Sequence, residues 1–141
     1  MTQASRAASA IPDLDTVVEL VRRVATEELL PRFGRTARRS KADGSPVTEA
    51  DLAVQDRLAH ALAELTPAIP LLAEETPLEE QAERLHAPAL WCLDPLDGTT
   101  NFTAGVPFFC TSLALVRDGT TELGVVHDPW RDETFAALRG A

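Results

Sequence analysis

No stretch of this sequence is long and apolar enough to span a bilayer, and the Ala- and Ser-rich opening from Met1 to Pro12 has no apolar core of the kind a signal peptide carries. Cysteine is scarce. Cys92 and Cys110 are the only two, each inside an apolar strand-like run, so buried reduced thiols are expected rather than a disulfide. Positive charge is scarce as well: 13 Lys and Arg stand against 22 Asp and Glu, a net charge of −9. That balance repels nucleic acid and anionic membrane surfaces at long range, so neither is expected as a partner. An acidic chain that handles phosphate esters is expected to do so through a bound cation. His60, His86 and His127 fall in a helix, a loop and a strand end, and no His or Cys is placed for a zinc site. The expectation is a cytoplasmic protein with a disordered tail over residues 1–12.

What is present is 141 residues with 45% apolar content, enough for one domain with a real core. Leu14, Val17, Val18, Val21, Val24, Ala25 and Leu29 recur at helical spacing, with Asp13 as cap and Pro31 as stop. Arg35 to Pro46 has no periodicity and reads as a loop or ragged hairpin. A second helix is expected from Thr48, with Asp51 completing a capping box, through Val54, Leu58, Leu62 and Leu65 to Pro67. Short strands are expected over Ile69 to Ala73 and Ala89 to Leu93, separated by an acidic surface helix or loop from Pro77 to Arg84. Cys110 to Val116 and Leu123 to His127 face each other across Asp118-Gly119, a tight hairpin turn, and Thr134 to Leu138 follows as a third strand. Helices followed by an antiparallel meander give an α+β layered class, two long helices packed on a mainly antiparallel sheet.

The chemistry concentrates where strands end in carboxylates. Glu74 and Asp94 each terminate an apolar run, so adjacent strands would bring both to one edge, with Asp97 one turn further on. Hard oxygen ligands of this kind suit Mg²⁺, which keeps several waters and shares its shell with substrate phosphate. Converging carboxylates repel one another, so such a cluster requires a cation. Gly98 lets the backbone approach a phosphate closely, and the amides after it can donate to its oxygens. The plainer alternative is a turn in which Asp94 and Asp97 only accept from backbone amides.

Asp51 lies within about 40° of the stripe formed by Leu58, Leu62 and Leu65, so its carboxylate faces the core and needs a partner. The Thr99 hydroxyl is a candidate: together the two could orient a water for attack on phosphorus. Lys41 is the nearest cation in sequence. Glu79, Glu80 and Glu83 read as a solvated face, and Trp91 and Phe102 as core.

These residues resemble the inositol monophosphatases, within the lithium-sensitive, magnesium-dependent phosphatase superfamily. The resemblance runs through Lys41 to Asp51, Glu74-Glu75, the signature Trp91-Cys-Leu-Asp-Pro-Leu-Asp-Gly-Thr-Thr-Asn-Phe102, the segment Gly105-Val-Pro-Phe-Phe, and the strands as far as Asp128-Pro129. It implies that Glu74, Asp94, Asp97 and the Leu96 carbonyl bind Mg²⁺ and that Asp51 and Thr99 hold the nucleophilic water. Glu74 joins Asp51 and Thr99 among the implied catalytic residues, and Gly98, Thr99 and Asp97 are the implied contacts to phosphate. Thr100 resembles inositol monophosphatases or archaeal-type fructose bisphosphatases more than bisphosphate nucleotidases. The implied fold is the N-terminal half of a layered αβαβα phosphatase, over residues 13–141, with a C-terminal α/β half and its Trp-Asp motif absent.

The expected function is hydrolysis of a small phosphorylated polyol or sugar, inositol monophosphate first and fructose 1,6-bisphosphate as alternative, weak or absent in this chain alone. A noncatalytic metal-binding or interaction fragment is the competing expectation, associating with a second copy or a complementing chain through the surface left by the missing half. The haloacid dehalogenase type is excluded by spacing, since its two aspartates are separated by one residue and Asp94 and Asp97 by two.

Overall fold

The computed structural model describes residues 10–35, 39–40 and 46–141. Helix α1 spans Leu14–Leu29 and is capped by Asp13, whose carboxylate accepts from the Thr16 amide and hydroxyl, both at 3.0 Å. Val17, Val21, Val24, Ala25 and Leu29 form its buried stripe. The α-helix stops before Pro31 as expected, though a 3-10 turn over Leu30–Arg32 carries the chain a little further. A small antiparallel pair, β1 (Arg39–Ser40) and β2 (Pro46–Val47), bears out the ragged hairpin. Lys41 and most of the expected N-terminal tail, residues 1–9, lie outside the described residues.

Helix α2, Glu49–Leu65, opens on the expected capping box: Asp51 accepts from the Thr48 amide at 2.9 Å, and Thr48 accepts from the Asp51 amide at 3.4 Å. Ala50, Asp51, Val54, Leu58 and Leu62 point inward. The two helices pack against each other and onto one face of a five-stranded sheet, α1 over its far strands and α2 over the near ones.

The sheet runs in chain order: β3 (Leu71–Ala73), β4 (Ala89–Asp97), β5 (Cys110–Arg117), β6 (Thr120–Asp128) and β7 (Glu133–Leu138). β3 lies parallel to β4 and every later pair is antiparallel, so the mixed sheet fits the α+β expectation. Pro70 shortens β3 from the expected start at Ile69, because it has no N–H to offer, although its carbonyl accepts from the Trp91 amide at 2.9 Å. Between the parallel strands, α3 (Leu78–Arg84) buries nothing and is tethered by Arg84 to the Leu71 carbonyl. At the Asp118-Gly119 turn both residues have positive φ, 49° and 75°, as the primed hairpin turn requires.

Trp91, Leu93, Leu113, Leu115, Leu123 and Val125 alternate onto the helix face and are buried there. Trp91, read as core, is fully buried with its indole N–H on the Thr66 hydroxyl at 2.8 Å. The opposite face carries Cys92, Ala114, Val116, Val126 and Phe135 in partial or full exposure. The expected buried thiols are therefore corrected: Cys92 and Cys110 are free and half-buried, because both point to that uncovered face. No helix among the described residues is long and apolar enough to cross a membrane.

Candidate active site

The rim of the site is built by strand register. Ala73 of β3 pairs with Leu93 of β4 in parallel, so Glu74 and Asp94, the next residue of each, emerge side by side. Asp94 still pairs with Ser112 of β5, but the next pairing is Asp97 with Cys110: β4 advances by three residues while β5 advances by two. This bulge accommodates Pro95, which contributes no N–H to the ladder, and returns a second carboxylate, Asp97, to the same end of the strand. β4 was expected to end at Leu93 and instead continues through Asp97.

Gly98 follows with φ +94°, a left-handed conformation, and a Cβ there would lie 2.8 Å from the Phe108 carbonyl oxygen. Only glycine fits this corner. It opens a short helix, α4 (Thr99–Thr103), that sequence periodicity did not anticipate. Phe102 of α4 is buried against Phe109, with ring centroids 4.9 Å apart, and against Phe33 at 5.7 Å.

Across the rim lies the buried Asp51. Its Oδ2 accepts from both the amide and the hydroxyl of Thr48, at 2.9 and 2.7 Å, which leaves Oδ1 to face Thr99 Oγ1 at 3.4 Å. The Thr99 hydroxyl also lies 3.1 Å from the Leu96 carbonyl. Asp51, Thr99 and the Leu96 carbonyl thus form one hydrogen-bonded string. Burial raises the Asp51 pKa, the Thr48 hydrogen bonds oppose that rise, and Glu75 adds to it. Glu75, a residue noticed in the sequence but given no role, is a neighbouring acid whose charge raises Asp51.

Asp94 is pushed up to about 6, first by burial and then by the charges of Glu74 and Asp97. Its Oδ1 is buried with no hydrogen-bond partner. A buried carboxylate oxygen without a donor is costly unless a cation meets it. The donor set, all oxygen, is of the kind a hard divalent ion takes. Among the described residues, however, no three or more His, Cys, Asp or Glu side chains are drawn close enough to hold a metal ion as they stand. Glu74 and Asp97 share the rim with Asp94, and the charges of both act on it.

Elsewhere, Glu79, Glu80 and Glu83 are exposed as expected, and His60 and His86 are on the surface. His127 is fully buried, with Nδ1 2.8 Å from the Thr134 hydroxyl. Sequence reasoning missed Thr48 Oγ1 as a partner of the Asp51 carboxylate, and Thr111, whose buried hydroxyl donates to the Pro95 carbonyl at 2.8 Å. The capping-box spacing pairs Thr48 with Asp51 through the backbone amide alone.

The chain is similar to known proteins along most of its length. The 3′(2′),5′-bisphosphate nucleotidase CysQ of Aggregatibacter actinomycetemcomitans is 39% identical over 128 residues, 90% of this chain and 47% of that protein. The IMPase of Thermotoga maritima superposes with a TM-score of 0.80 at 36% identity, covering 91% of this chain and 48% of that one. An IMPase/NADP phosphatase solved with Mg²⁺ and phosphate superposes with a TM-score of 0.76 at 26% identity, covering 89% and 47%. The chain spans about half the length of these relatives. A nucleotidase stands among them, so overall similarity does not by itself choose a substrate class. With the family model described as the inositol monophosphatase family matching residues 12–141, and with the layered helix-and-sheet fold shared by these structures, the chain belongs to the inositol monophosphatase family.

Proposed function

We propose that this chain, with residues 13–141 as its α+β unit, carries the cation-holding and water-activating part of a magnesium-dependent phosphomonoesterase. The observation that carries the reading is the buried, unpartnered Asp94 Oδ1 at a rim shared with Glu74 and Asp97. The relative solved with Mg²⁺ and phosphate supports the choice of ion. Glu74, Asp94 and Asp97 would hold Mg²⁺ through their carboxylates and Leu96 through its carbonyl. When bound, the ion supplies Lewis acidity toward the phosphoryl group and acidifies a nearby water.

The protein's own share of the chemistry follows from the string at Asp51. Thr99 has one hydroxyl proton, and Asp51 Oδ1 and the Leu96 carbonyl compete for it. When it points to Asp51, a Thr99 lone pair is free to accept from the attacking water, and the water's proton can pass through Thr99 to the carboxylate. Asp51 is suited to receive it, because burial already favours its protonated form. Because Thr48 saturates the other carboxylate oxygen, Oδ1 is fixed in aim. Gly98 and the Thr99 amide, at the corner where β4 turns into α4, are the proposed phosphate contacts, with Asp97 beside them.

Inositol monophosphate is the proposed substrate, with fructose 1,6-bisphosphate as alternative, and the nucleotidase relative adds a nucleoside 3′,5′-bisphosphate to the set worth testing. A cytoplasmic location agrees with the composition. A second reading, a noncatalytic metal-binding or interaction module, draws on the uncovered sheet face, where Phe135 is 64% exposed, and would pair the chain with a second copy or a complementing chain there. The two readings separate in one assay: Mg²⁺-dependent phosphate release from the three substrates, with and without a segment equivalent to the relatives' other half added in trans. The enzyme reading expects weak or no turnover alone, turnover of inositol monophosphate on complementation, and its loss in Asp97→Asn. Full rate in Asp97→Asn would refute the assignment, and no release from any substrate on complementation favours the noncatalytic reading.

A further inference from the structure

The core face of β5 reads Thr111, Leu113, Leu115, and all three are buried to 1% exposure or less. A hydroxyl on that apolar face needs a partner, and a valine of nearly the same shape would spare it the need. Thr111 sits in the one-residue gap of β5 between Ser112, paired with Asp94, and Cys110, paired with Asp97, directly opposite the two bulged residues Pro95 and Leu96. Its Oγ1 donates to the Pro95 carbonyl at 2.8 Å. Pro95 is itself buried and its ladder is broken there, so the hydroxyl satisfies an oxygen that water does not reach. The next carbonyl, that of Leu96, is met by the Thr99 hydroxyl at 3.1 Å. Both consecutive carbonyls of the bulge therefore face threonine hydroxyls, one from β5 and one from α4, the latter shared with Asp51.

We propose that Thr111 is a positioning residue for the cation site: by holding the Pro95 carbonyl, its hydroxyl fixes the bulge that aligns Asp94, the Leu96 carbonyl and Asp97. This rests on the metal reading of the same rim. A bulge re-aims the residues it contains, and its geometry is soft unless something outside the ladder pins it. Thr111 touches neither ion nor substrate, so its effect passes through the backbone of residues 95 and 96. Hydrogen-bond partners of the ligands themselves commonly set metal affinity by about ten- to a hundred-fold, and Thr111 acts one residue further out, so the lower end of that range is expected.

The test uses the ¹⁵N-labelled 141-residue chain as wild type, Thr111→Val, Thr111→Ala and Thr111→Ser. Two properties are read: Mn²⁺ affinity from the electron paramagnetic resonance of free Mn²⁺, and the amide spectrum without metal. Thr111→Val and Thr111→Ala should weaken Mn²⁺ by about ten-fold and displace the amides of Leu96, Asp97 and Gly98 while the other strands keep theirs. Thr111→Ser, which retains the donor, should restore both. A role confined to packing would instead be repaired best by valine. Wild-type affinity in Thr111→Val and Thr111→Ala, or serine as weak as valine, would overturn the proposal. Absence of Mn²⁺ binding by wild type itself would overturn the metal reading and the positioning role together, a result distinct from either.

Discussion

Asp94 is where burial and charge most clearly oppose each other. Its rise from the usual 3.8 to about 6 comes from burial and from the charges of Glu74, Asp97 and Asp51, so the ionised form is the one the fold tolerates badly. For an acid whose folded pKa is raised, the penalty is absent below the unfolded pKa, grows between about pH 4 and pH 6, and is constant above that. A rise of this size corresponds to on the order of 3 kcal/mol in favour of the protonated state. In EDTA, Asp94→Asn should therefore raise the unfolding free energy by about 2 kcal/mol at pH 8 and leave it nearly unchanged at pH 4, as read by urea titration. An equal gain at both values would mean that charge is not the cause. The same substitution should abolish metal binding, the wild-type residue destabilising the metal-free fold in return for its proposed ligand role.

At the scale of elements, the site depends on how β4 ends. The strand passes through Pro95 by bulging, turns at Gly98 and starts α4 at once. Gly98→Ala meets two obstacles together, a φ of +94° and a Cβ 2.8 Å from the backbone oxygen of Phe108. The expected loss is about 2 kcal/mol or more in urea unfolding, from the left-handed conformation and the overpacking combined. A loss within about 0.5 kcal/mol would show that the corner is not pinned in this way.

These element-level features were unevenly legible in the sequence. α1 and α2 were plain because a 3.6-residue stripe and a cap at each start agree, and the β5–β6 hairpin because Asp-Gly supplies the positive φ its turn needs. The end of β4 was not. Asp-Pro-Leu-Asp-Gly is turn chemistry by composition, and only pairing with β5 makes it a strand. α4 is five residues long, too short for any period to register. Glu74 and Asp94 could be foreseen as neighbours because both close apolar runs, and Asp51 and Thr99 as partners because one lies on a core-facing stripe. Thr111 carried no such signal, since a threonine in an apolar strand reads as an ordinary β-former and its partner is a carbonyl sixteen residues away.

Across the whole molecule, the helices cover one face of the sheet and leave the other, with Cys92, Ala114, Val116, Val126 and Phe135, partly or fully open. Strands with apolar residues on both faces are those of a sheet built to be covered twice. Family membership was readable from the Trp91 to Phe102 signature and the segments around it, whereas substrate choice was not, since the relatives carry the names of different phosphatases.

With a net charge of −9 there are many places for a cation to settle, so where it settles decides between the β4 rim and the acidic surface. Acidic residues also line α3 and the start of α1, at Glu79, Glu80, Glu83, Asp13, Asp15 and Glu19. Paramagnetic broadening of the amide spectrum by substoichiometric Mn²⁺, reversed by excess Mg²⁺, reports the place directly. Glu74, Asp94 and Leu96 to Thr99 should broaden first, with Asp51 close behind. Broadening confined to α3 or the start of α1, or none at all, would contradict a cation site at the β4 rim.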